Sequence, residues 1–85
     1  MKTIYKYPLG AQLENLLTLR GKVLCAGVQG DDILVWAVHD DEAPERKVQV
    51  TIVGTGHELE VPESSFVNTV FLGMFVFHIF AEEQA

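Results

Sequence analysis

Three groups of side chains in this sequence could do chemistry if folding supplied their partners. His39-Asp40-Asp41-Glu42 sets an imidazole beside three carboxylates, donor types that hold divalent cations. Gly54-Thr55-Gly56-His57 has the small residues of a backbone cradle for an anion. His57 and His78 are imidazoles that titrate near neutral pH, with Ser64 and Ser65 as hydroxyls in the same half of the chain. Each group lacks something. Neighbours along a strand point to opposite faces, so consecutive residues do not converge on one ion. The glycine turn has no Lys-Ser/Thr ending and no clear helix after it. It reads either as a tight turn needing positive φ or as a ligand loop. The serines lie outside any nucleophile elbow. Cys25, the only cysteine, rules out an internal disulfide and a thiolate cluster; between Leu24 and Ala26 it reads as a small buried side chain. The expectation is a protein that is not an enzyme and holds no cofactor and no metal.

The elements that would position these residues read as mostly β. Thr3–Tyr7 alternates, with Tyr5 and Tyr7 on one face and Pro8 marking an end or an edge. Residues 11–19 mix helical and strand spacing, and a strand near Leu16–Leu19 is favoured. Lys22–Gln29 and Ile33–His39 flank Gly30-Asp31-Asp32 and read as a hairpin. Lys47–Val53 alternates most cleanly, with Val48, Val50 and Ile52 on its dry face. After turns at Gly54–His57 and Pro62–Ser65 come Phe66–Leu72 and Met74–Ala81, broken at Gly73. The expected fold is one domain, 1–85, a small antiparallel β-sandwich or barrel-like domain with at most one short helix.

Met74–Phe80 is apolar on both faces except at His78. A domain of 85 residues covers one face with its own core. The other face, Met74, Val76, His78 and Phe80, must meet a helix, the far wall of a barrel or a second molecule, and is a candidate for self-association in a homodimer.

Charge limits the partners. The formal net charge is −6, and residues 48–85 carry five acids and no Lys or Arg. Gripping a phosphate backbone needs clustered cations, so direct nucleic-acid binding is not expected. The apolar run Phe66–Phe80 is shorter than the roughly 20 residues of a spanning helix, and no apolar signal core opens the chain. A cytoplasmic protein with no membrane partner is expected. Trp36 is a candidate interface anchor, with Asp40, Asp41, Glu42, Glu58 and Glu60 as acidic contacts for a basic protein partner.

Met1-Lys2-Thr3-Ile4-Tyr5-Lys6-Tyr7-Pro8-Leu9, the segment Leu34-Val35-Trp36-Ala37-Val38, the acidic loop with Ala43-Pro44, Gly54–His57 and the closing Phe75-Val76-Phe77-His78-Ile79-Phe80 together resemble a family of small bacteriophage and prophage proteins, a domain of unknown function. The resemblance departs at Asn68-Thr69, where that family tends to carry Gly-Thr. It implies a phage accessory protein acting in the host cell, by analogy an anti-CRISPR-like counter-defence inhibitor that binds a host protein or protein complex. A structural homo-oligomer and a nucleotide-sequestering protein using the Gly54–His57 loop are the alternatives.

Overall fold

Alternation of apolar and polar residues builds seven strands among residues 1–84, which the computed structural model describes. They are β1 (Lys2–Pro8), β2 (Glu14–Leu19), β3 (Val23–Gln29), β4 (Asp32–Asp40), β5 (Arg46–Gly54), β6 (Phe66–Leu72) and β7 (Phe75–Glu83), with one 3-10 turn at Glu63–Ser65. Two antiparallel sheets result, ordered β1-β4-β3 and β2-β5-β7-β6. The expected mostly β sandwich is the observed fold. The ambiguous stretch after residue 11 becomes strand β2, because Leu17 and Leu19 must face the core beside Val48 and Arg46 of β5.

The inner faces meet in one apolar layer. Val35 and Ala37 of β4, Val50 of β5 and Ile79 of β7 are fully buried, and Leu19, Val48, Ile52 and Val70 join them. Each large aliphatic side chain so buried contributes about 1.5–3 kcal/mol. The hairpins β3–β4 and β6–β7 turn through Gly30 and Gly73, each at φ 60°. In each loop the first of two central residues is the one with positive φ, a type II′ pattern matching the twist of the strands.

On the outer face of the three-stranded sheet, the Trp36 ring lies over Gly27, where an added Cβ would stand 2.6 Å from the ring. Cys25 is exposed on this same face, which overturns its reading as a buried side chain. The cause is a bulge between Val23 and Cys25. It adds one residue to β3, so Leu24 is exposed, Cys25 pairs with Trp36 on the outer face, and Ala26 turns inward opposite Val35.

The sandwich closes along one side only. There β3 and β6 run past each other without a strand-to-strand ladder, and the Asn68 side chain joins them. Its Oδ1 accepts the Ala26 N–H at 2.7 Å and its Nδ2 donates to the Ala26 carbonyl at 3.0 Å. One amide thus satisfies both main-chain groups of an edge residue that would otherwise be left without a partner beside the core. Asn68→Ala should lower unfolding free energy by about 1–3 kcal/mol, read from urea denaturation. An unchanged midpoint would show that water replaces the amide at no cost.

Candidate functional site

β5 and β6 both pair antiparallel with β7, so they run parallel to each other. A parallel pair needs a connection that returns the full length of the strands. Residues 55–65 make that return across the outer face of the four-stranded sheet. On the second apolar side of β7, Phe80 is only 7 % exposed: Phe66 of β6 packs edge-to-face on it at 5.4 Å, and His57 and Leu59 of the crossover line a hollow beside it.

His78 ties the crossover down. Its Nε2 lies 2.8 Å from Thr55 Oγ1 on the crossover, and its Nδ1 lies 2.8 Å from Thr69 Oγ1 on β6. Each hydroxyl both donates and accepts, so either neutral tautomer is satisfied. His57 folds its ring onto Gly54, with Nδ1 3.1 Å from where a Cβ would stand. In the Gly54–His57 turn, Thr55 N–H donates to the Val76 carbonyl at 3.3 Å and His57 N–H to the Gly54 carbonyl at 3.1 Å. Those two amides are engaged within the chain rather than turned toward a ligand. Ser65 Oγ donates to the Pro62 carbonyl at 2.6 Å and closes the 3-10 turn.

The crossover also builds a groove of about 350 Å³ on this face. Gln49, Thr51 and Val53 of β5 form its floor. Glu14 of β2 and Glu82 of β7 stand on either side, and Glu58 and Glu60 enter from the crossover. No Lys or Arg is among the residues lining it. The described ion pairs involve other acids: Asp41, Glu42, Glu45 and Glu83. Four carboxylates therefore face solvent from one concave patch with no cation of their own. They give the patch a negative potential, complementary to cationic groups.

The sequence-predicted partner residues fall in three places. Glu58 and Glu60 are in the groove. Trp36 is half-buried on the outer face of the opposite sheet. Asp40, Asp41 and Glu42 gather at the end of β4, with ligand oxygens within 4.8 Å of one another. The Met1 ammonium meets them, at 2.9 Å from Asp41 and 3.4 Å from Glu42, and the hydrogen bonds to Asp41 and then Glu42 raise its pKa. Glu14 and Glu82 were not singled out from sequence. They lie far apart along the chain and flank β5 only through its pairings with β2 and β7.

The four predicted self-association residues are also separated. Phe80 is covered by the crossover and His78 is held by two threonines, whereas Met74 is 95 % exposed at the β6–β7 turn and Val76 is half-buried. No helix among the described residues is long and apolar enough to cross a membrane.

The family model for a domain of unknown function (DUF7352) matches residues 1–85, and the chain belongs to that family. No curated protein and no solved structure matches it.

His78→Ala removes both tethers. It should cost about 1–3 kcal/mol of stability and speed amide exchange selectively between Thr55 and Val61. Unaltered exchange in that segment would mean that apolar cover alone holds the crossover.

Proposed function

We propose that this domain is a non-enzymatic binding protein that engages a basic protein partner through the groove on the outer face of its four-stranded sheet. The observation that carries the reading is the convergence of Glu14, Glu58, Glu60 and Glu82 on one concave surface lined by no Lys or Arg. Sites that hold phosphate backbones are built from clustered Lys and Arg. An acidic groove is complementary to such a site and can compete with nucleic acid for it. With the sequence resemblance to phage and prophage proteins, this supports a counter-defence role in the host cytoplasm. The protein would sit on the nucleic-acid surface of a host defence complex of the anti-CRISPR kind and block it sterically.

Binding of a Lys/Arg-rich peptide should weaken as salt rises, because exposed charges are screened. Glu58→Gln combined with Glu60→Gln should raise the dissociation constant about tenfold, or about 1.4 kcal/mol, as followed by fluorescence anisotropy. In cells with an active nucleic-acid-guided defence, expression should restore phage plaques, and the double variant should not. Defence unaltered by the unmodified protein would overturn the counter-defence role. Salt-independent peptide binding, unchanged in the double variant, would overturn the groove.

A further inference from the structure

The two sheets leave two strand edges unpaired, and the chain treats them differently. In an antiparallel ladder, alternate residues send both main-chain groups to the same neighbour. Leu9 N–H donates to the Ile33 carbonyl at 2.9 Å, so the odd residues of β1 bond β4 and the even ones face outward. Those are Lys2, Ile4, Lys6 and Pro8. Two lysines and a proline without an N–H are devices that discourage strand addition.

β2 has no such guard. Ile52 N–H donates to the Leu13 carbonyl at 2.8 Å, so Leu13, Asn15, Leu17 and Leu19 bond β5. Glu14, Leu16 and Thr18 turn their N–H and C=O groups to the free edge. Leu16, in the middle, is 61 % exposed, and no proline, lysine or bulge interrupts the strand.

We infer that β2 pairs with β2 of a second copy about a two-fold axis through Leu16, making one continuous sheet across a homodimer. A two-fold antiparallel pair centred on Leu16 sets Leu16 against its own mate and Glu14 against the mate's Thr18. All three pairs are of the hydrogen-bonded kind, because these are the residues whose main-chain groups are free.

The side chains fit the same register. Leu16 meets Leu16 on the outer face. Thr18 Oγ1 holds the Lys47 ammonium within its own subunit at 2.5 Å, and Lys47 is the register partner of Thr18. The two-fold therefore sets the Glu14 carboxylate of each copy beside the Lys47 ammonium of the other, so the ion pair forms twice. This charge complementarity selects a second copy of this chain as the occupant. Glu14 also lines the groove, so pairing draws one of its four carboxylates toward Lys47 of the second copy, while Glu58 and Glu60, which lie outside the strand, stay available to a basic partner.

Sedimentation equilibrium on the intact chain should give a species of twice the 9.5 kDa chain mass. Hydrogen exchange should show Glu14, Leu16 and Thr18 amides protected at high concentration and exposed on dilution. Leu16→Lys, at an exposed position that tolerates it, should give a folded monomer. Glu14→Lys alone and Lys47→Glu alone should each weaken dimerisation about tenfold, and the two together should restore it. A monomer at millimolar concentration, a dimer that survives Leu16→Lys, or a double variant no tighter than either single one would overturn the inference.

Discussion

A sandwich of two short sheets has to deal with four strand edges, and the one nearest the core is β3 against β6. Ala26 turns its main-chain N–H and C=O away from β4 and toward that gap. A continuous ladder would close the sheets into a barrel, but the bulges in β3 and β6 break the register for one. The Asn68 amide replaces the missing peptide group with one acceptor and one donor on the same residue. The remaining architecture depends on this substitution. It lets two separate sheets share the apolar layer of Val35, Ala37, Val50 and Ile79 without an unsatisfied buried polar group between them. Among the described residues, no buried side-chain N or O lacks a partner.

Closing the sandwich at β3 and β6 determines where the chain is open. β6 must reach the far edge of its sheet, next to β7, and so it runs parallel to β5. The crossover from 55 to 65 follows from that order. Its placement does two things at once. It removes Phe80 from water, and it carries Glu58 and Glu60 over the strands that present Glu14 and Glu82. The acidic groove is therefore a product of topology, with His78 joining the crossover to the sheet beneath it.

The edges opposite the closure, β1 and β2, carry the rest of the surface logic. Lys2, Lys6 and Pro8 line one, and Glu14, Leu16 and Thr18 the other. All of the Lys and Arg residues lie in the first 47 positions, so the half of the chain that forms β6, β7 and the crossover supplies only negative charge. Glu14 stands where the two regions meet, on the free-edged strand β2 and beside the groove on the outer face of the sheet.

The fold class, most strand positions and the dry face of β5 were legible in the residues alone. Period-two alternation in Lys47–Val53 has one satisfactory solution, a half-buried strand, and β5 is buried at every second residue; Thr3–Tyr7 also forms a strand, but Thr3, Ile4, Tyr5 and Lys6 are all exposed at the edge of the three-stranded sheet. The acidity of the second half could also be read from the sequence. It misread Cys25, because a bulge is a local slip that depends on the partner strand. It left the cover of the second face of Met74–Phe80 open, with self-association as one candidate, because alternation shows that both faces are apolar without saying what covers them. Strand order covers Phe80, by bringing Phe66 and the crossover against it, and leaves Met74 exposed. Tertiary structure alone brought Glu14 and Glu82 to the groove and left the β2 edge free. Both outcomes rest on pairings between distant segments, and hydrogen bonding between strands is carried by the main chain, which is the same at every residue and leaves no mark in the side-chain pattern.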